Sequence, residues 1–209
     1  LTDVGRTPLY DWPPLASDAA PVRRPRLTVD EWLQLDQDAS GELSLGVLEE
    51  EEVPDAVHEL AVSWLIQILR SWLGMRGFVF GSELKLLVAE TTGRKPDLTV
   101  FLPGSPPPPR TGPIRRPPDI VIEVVTPSPR DERRDRVDKM AEYAAFGVRY
   151  YWLIDPALGS VEVFERTESG HYVKRVGVTA GQVDAVPGCA GLALDVDALW
   201  TELARLPRE

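Results

Sequence analysis

The sequence predicts a mixed α/β domain built on one central sheet with helices packed against it. Three observations carry that reading. Val57, Leu60, Ala61, Trp64, Leu65, Ile68, Leu69 and Trp72 recur at three- and four-residue spacing, which gives a long helix one broad apolar face. Ile120, Val121, Ile122, Val124 and Val125 form a nearly unbroken β-branched run, as expected of a central strand covered on both faces. Residues 131–146 then show a second helical period, followed by further strand-like segments, so helices and strands interleave along the chain.

The remaining elements follow in order. Residues 1–26 carry Pro8, Pro13, Pro14, Pro21 and Pro25 and no apolar period, so they read as an extended arm ahead of a domain over 27–206. Thr28 caps a short helix over 29–35. Leu43, Leu45 and Val47 alternate with small residues, which predicts a strand, and an acidic run over 49–52 follows it. Asp55 precedes the long helix, and Gly74 and Gly77 end it. Residues 78–80, 84–88 and 98–102 read as strands, with Gly93 in a turn between the last two. The proline-dense stretch 103–118 reads as a surface loop. In the helix over 131–146, Val137, Met140, Ala141 and Ala144 fall on the inner side, and Gly147 stops it. Strands over 150–154, 161–166 and 172–176, a turn at Asp155 and Pro156, another at Ser169 and Gly170, and a helix over 199–206 close the domain.

Composition bounds the function. With 209 residues, 43% of them hydrophobic and 27% charged, the chain belongs to the soluble globular class and can bury a core without disulfides. Cys189 is the one cysteine, so neither an internal disulfide nor a cysteine–histidine zinc site is available, which fits a reducing cytoplasm. No apolar run reaches the ~18 residues of a membrane span, and no basic start followed by an apolar stretch marks a signal peptide. The net charge of −10 does not draw nucleic acid through the global field. Contacts to phosphate would have to come from local clusters: Arg115 and Arg116, and Arg130, Arg133, Arg134 and Arg136. The competing reading pairs the second cluster with Asp131, Glu132, Asp135 and Asp138 on a solvated helix face.

The chemistry points to Asp97 and Glu123. Glu123 interrupts the most apolar strand of the chain, where an ionised carboxylate is costly unless paired, hydrogen-bonded or coordinated. Asp97 opens a neighbouring predicted strand. Two carboxylates side by side repel, and a hard divalent cation between them removes the conflict. Magnesium suits such a pair because it accepts one or two carboxylates and keeps several waters. The bland alternative pairs Glu123 with a buried arginine or lysine.

Arg94, Lys95, Pro96, Asp97, Leu98, Thr99 and Val100, then the run from Pro118 through Glu123 to Ser128, resemble the Uma-two family of restriction endonuclease-like proteins, within the PD-(D/E)XK nuclease superfamily. The likeness continues through Asp135, Lys139, Tyr143, Gly147, Tyr150, Trp152 and Asp155, and upstream through Glu42, Gly46 and His58, over roughly residues 27–206. The resemblance implies a restriction-endonuclease-like central mixed sheet flanked by helices. It implies Asp97 and Glu123 as ligands of Mg2+ or Mn2+, and DNA as the substrate. The family's lysine is expected two residues after Glu123, where this chain has Val125, so the resemblance points instead to Lys139 as the third catalytic residue. An ammonium there orients water and offsets phosphate charge. Lys85 and Lys95 are rivals for that role, and Glu42 and His58 are accessory candidates. Lys139 otherwise reads as a solvated helix charge paired with Glu142 or Asp135.

His171, Trp64, Trp72 and Ser128 read as structural, since the tryptophans lie on the apolar helix face and the serine has no local histidine partner. Three functions remain in view: a metal-dependent DNA endonuclease, a degenerate nuclease fold that binds nucleic acid or protein without cutting, and a module whose acidic surface binds a basic partner. A homodimer would suit paired-strand cleavage.

Overall fold

The computed structural model describes residues 26–35, 41–49, 54–128 and 132–207. The proline-rich arm, except its last residue, most of the acidic run over 49–52, and Arg130 lie outside the described residues. Thr28 caps helix α1 (Val29–Leu33) through a reciprocal capping box with Glu31. Strands β1 (Glu42–Ser44) and β2 (Val47–Glu49) follow. The alternation of Leu43, Leu45 and Val47 predicts one strand, but the chain instead turns back tightly at Leu45 and Gly46, both at positive φ. Two central residues at positive φ make the hairpin turn that matches strand twist, and the turn leaves Leu45 exposed.

Asp55 caps helix α2 (Ala56–Leu73) by accepting from the His58 backbone N–H at 2.8 Å. Strands β3 (Phe78–Phe80), β4 (Leu86–Ala89), β5 (Thr92–Arg94), β6 (Leu98–Phe101) and β7 (Ile120–Val124) come next. A π-helical turn (Arg134–Lys139) runs into helix α3 (Met140–Phe146). Strands β8 (Tyr150–Asp155), β9 (Ser160–Arg166), β10 (Tyr172–Val178), β11 (Gln182–Val183) and β12 (Leu194–Asp195) lead to helix α4 (Val196–Leu203). The short strands β11 and β12 pair with each other and had no signal in the sequence.

The main sheet has six strands in the order β10-β9-β8-β7-β6-β3, with β7 and β8 parallel and the other neighbours antiparallel. The parallel pair is joined by the π turn and α3, as a crossover requires. This is the mixed α/β sheet that the apolar run through Glu123 predicts, with β7 near its middle. A smaller sheet, β2-β1-β5-β4, stands apart, and only Lys95, Pro96 and Asp97 separate its strand β5 from β6 of the main sheet.

Side-chain alternation in β7 divides the core. Ile120, Ile122 and Val124 pack with Ala61, Leu65 and Leu69 of α2 and with Leu199 of α4. Val121 and Val125 pack with Tyr143 of α3 and with Tyr151. By the same alternation Glu123 faces the α3 side. Gly93, read as a turn residue, sits inside β5 instead. A Cβ there would lie 2.3 Å from the Trp32 ring, so close packing explains this glycine. Val137, expected on the inner side of its helix, is 56% exposed, and Asp135 and Lys139 are buried in its place. A π turn has a wider period than 3.6 residues, so it rotates the inward face away from the one the α pattern assigns.

No helix among the described residues is long and apolar enough to cross a membrane. Cys189 belongs to the core on the α2 side, and burial pushes its thiol up to about 12. The native protein at pH 8 is therefore expected to leave Cys189 unmodified by a thiol reagent, with one equivalent reacting after denaturation. Rapid labelling of the native chain would contradict the packing described for β12 and α4.

Candidate functional site

Between the two sheets, the start of α2 and the π turn lies a cavity of about 240 Å³. Asp97 and Glu123 both line it. Leu98 pairs with Ile122 across the antiparallel β6–β7 ladder, so one step further along the same register sets Asp97 opposite Glu123. Asp97 is fixed by its surroundings. Its Oδ2 accepts from the Val124 backbone N–H at 2.7 Å and lies 3.2 Å from His58 Nε2. Burial alone would disfavour a charged His58, but the hydrogen bond to Asp97 and that carboxylate's charge raise its pKa overall.

Glu123 is held from above by α3 and its π turn. Tyr143 Oη donates to Glu123 Oε1 at 2.8 Å, and Lys139 Nζ lies 3.1 Å from Oε2. The bland alternative from the sequence, a buried lysine partner for Glu123, is thus present. Lys139 is only 4% exposed, and it also lies 3.4 Å from Glu42 Oε2 and 3.4 Å from Asp135 Oδ1. Burial works against its charge, but Glu123, Glu42 and Asp135 outweigh it and keep the ammonium protonated far above its ordinary range. It is a buried ion at the focus of three carboxylates, not a solvated helix charge.

Glu42 reaches the site from β1. Its Oε1 accepts from the Lys95 backbone N–H at 2.7 Å, and Arg94 Nη1 donates to its Oε2 at 3.1 Å. Burial pushes its carboxyl up, but Lys139 and Arg94 more than offset that, so it is ionised more readily than usual. Arg94 is wholly buried and turns its other edge to Glu142, donating from Nε and Nη2 at 2.6 and 2.8 Å. Arg94 is the residue that sequence reasoning missed. It lies within the motif that carries the resemblance, but nothing in a local pattern marks an arginine as buried.

The other candidates separate. Lys95, Glu59, Glu83, Asp135 and Arg134 share the cavity lining. Lys85 does not. Its Nζ donates to the Trp32 carbonyl at 3.0 Å and sits over that indole ring. Arg136 is committed to Asp155 and Glu162, and Arg116 donates to the carbonyls of Pro106 and Pro107. Arg115 and Arg133 are exposed and do not line the cavity.

The charges of the lining are unbalanced. Glu42, Glu59, Glu83, Asp97, Glu123 and Asp135 stand against Lys95, Arg134 and Lys139, six carboxylates to three cations. Burial raises the Glu123 pKa well above the carboxylate range, and Asp97, Asp135 and Glu42 add to that rise against the opposing pull of Lys139. Asp135 shifts upward for the same reasons, burial first, and its buried Oδ1 accepts no hydrogen bond. A carboxylate set with this surplus fits a hard cation. No group of three His, Cys, Asp or Glu among the described residues forms a ready ligand cage. Magnesium does not demand one, since two carboxylates, waters and substrate oxygens complete its shell.

Known proteins bear on this geometry. The family model described as "Uma2: Putative restriction endonuclease" matches residues 29–197. The crystal structure of a putative nuclease belonging to DUF820 from Anabaena variabilis ATCC 29413 is similar in fold, with a TM-score of 0.67 and 23% identity over 85% of this chain and 99% of that one. No curated protein matches.

The ion-pair chain yields a stability test. Replacing Arg94 by leucine removes the partner of Glu142 and leaves buried Glu42 with Lys139 and the Lys95 backbone N–H alone. A loss of about 3–5 kcal/mol of unfolding free energy is expected, read from denaturant titration. The loss in the double variant Arg94→Leu with Glu42→Gln is expected to differ from the sum of the two single losses, because the two side chains are paired. Additive losses would mean that the two groups are not coupled.

Proposed function

We propose that this chain, which belongs to the Uma2 family, is a metal-dependent endonuclease that hydrolyses DNA phosphodiester bonds. The observation that carries the proposal is the Asp97–Glu123 pair, opposed in register within a cavity whose carboxylates outnumber its cations. In this reading the two carboxylates hold Mg2+ or Mn2+, and a bound ion supplies an acidified water and a Lewis-acidic partner for a phosphodiester oxygen.

The chain's own residues do the rest. Tyr143 takes one oxygen of Glu123 and so fixes the rotation of its carboxylate. The Val124 backbone N–H and His58 do the same for Asp97. Lys139 stays an ammonium at neutral pH, so its part is electrostatic: it offsets charge on the phosphoryl oxygens and orients water, and it does not accept a proton. Arg134 and Lys95, on the same lining, are the cations best set to meet a phosphate that enters.

Two substitutions separate the roles. Asp97→Asn keeps the shape and removes the charge that holds the ion. It is expected to abolish cleavage of DNA in magnesium or manganese, with a loss of about a hundredfold or more in rate. It should also cancel the rise in melting temperature that metal gives the wild type. Lys139→Met is expected to lower cleavage by about a hundredfold or more while keeping a metal-dependent rise in melting temperature. A wild type that neither cuts DNA nor melts higher with metal would overturn the proposal and favour a degenerate nuclease fold that binds without cutting.

A further inference from the structure

A second cavity of about 240 Å³ adjoins the first and shares His58 and Thr126 with it. Its chemistry is the opposite of its neighbour's. Val57, Val125, Pro127, Pro156 and Ala157 form its walls. Asp55 and the shared His58 are its titratable residues among the described ones, and the Asp55 carboxylate already caps α2 by accepting from the His58 backbone N–H. Among the described residues no lysine or arginine lines it. Among the described residues the two cavities together therefore offer a carboxylate-rich chamber lined by three lysine and arginine side chains and, beside it, an apolar one lined by none.

We propose that the second cavity receives the nucleobase next to the phosphate being cut, so that the substrate is DNA with an unpaired nucleotide at the cleavage point. The inference rests on the nuclease reading and names the substrate that reading leaves open. A nucleotide joins an anionic phosphate to a flat ring with apolar faces, and the paired cavities match those two parts in kind and adjacency. Phosphate is poorly suited to the second cavity, where no described lysine or arginine lines the wall and Asp55 does. The volume lies below the roughly 300 Å³ at which sites for whole drug-sized ligands begin, which suits one ring system and no more. A base can reach such a cavity only by leaving its stack, so an intact duplex pays an unstacking cost that a single strand does not. Among the described residues of the lining only Thr126 and His58 offer side-chain hydrogen-bonding groups beside Asp55, so the cavity selects for the presence of a base more than for its identity.

The test uses the full chain with manganese and a labelled single-stranded oligonucleotide, together with a series in which one abasic residue is moved along the strand. The wild type is expected to cut about tenfold more slowly at the phosphate adjoining the abasic residue than at the same phosphate of the parent strand. Ala157 is exposed on the cavity wall, so Ala157→Leu fills space without disturbing the core. In that variant the parent and abasic strands should be cut at the same rate, so that the effect of the missing base vanishes. A variant that is merely damaged would slow both strands alike and keep their ratio, which would overturn the inference. Equal cleavage of parent and abasic strands by the wild type, at every position, would also overturn it while leaving the nuclease reading intact. A wild type that cuts none of the strands, nor duplex DNA, overturns the nuclease reading and this inference with it.

Discussion

Every residue of β7 is buried, and one of them is Glu123. A carboxylate in that position would cost several kcal/mol if left alone, and much of the surrounding structure can be traced to the groups that answer it. Tyr143 and Lys139 each take one of its oxygens, four residues apart on the segment that crosses from β7 to β8. Lys139 in turn is a buried cation, and it needs Glu42 and Asp135. Glu42 needs Arg94, and Arg94 needs Glu142. The chain of alternating charges ends there, at a side chain that is about a quarter exposed to water. The links come from β7, the π turn, β1, β5 and α3, so the network ties the small sheet to α3.

Such a network is a poor source of net stability, because desolvation consumes most of the attraction. The free energy of folding comes instead from the apolar clusters on the two faces of the main sheet, one with α2 and α4 and the other with α3. What the charges supply is registration. Bidentate contact between the Arg94 guanidinium and Glu142 allows little sliding of β5 along α3. Trp32 laid flat over Gly93, its indole N–H donating to the Gly41 carbonyl, fixes the far side of the same small sheet.

The parts of this arrangement that could be read in the sequence were those where a local pattern is broken. Glu123 stands out because its neighbours are all apolar, and Asp97 because it opens a strand in a recognisable motif. Lys139 could be placed only through the likeness to a family, since its own helix looked like an ordinary solvated one. The π turn defeated the helical period there: an apolar rule puts Val137 inside, whereas the site needs Asp135 and Lys139 inside. Arg94 was invisible because its burial depends on Glu42 and Glu142, each about 50 residues away in sequence. The β1–β2 hairpin was missed for a different reason. Alternation runs straight through Leu45, and only the backbone angle at that residue shows the chain reversing.

The net charge of −10 poses a last question for the proposed function, because an acidic protein repels an anionic substrate. The basic residues do not resolve it by number. Arg136 and Arg116 are committed within the fold, and Arg94 is sealed between carboxylates. Lys95, Arg134 and Lys139 line the cavity, but each is itself paired with a carboxylate there, and carboxylates outnumber the three two to one. Under the proposed function Asp97 and Glu123 would hold a divalent ion, whose charge would offset part of the local field that otherwise turns a phosphate away. Metal binding and DNA binding would be linked in that case, since neutralising these carboxylates would raise the affinity for phosphate. The acidic character of the cavity is then compatible with nuclease chemistry, because it makes entry of the substrate conditional on the metal that the reaction needs.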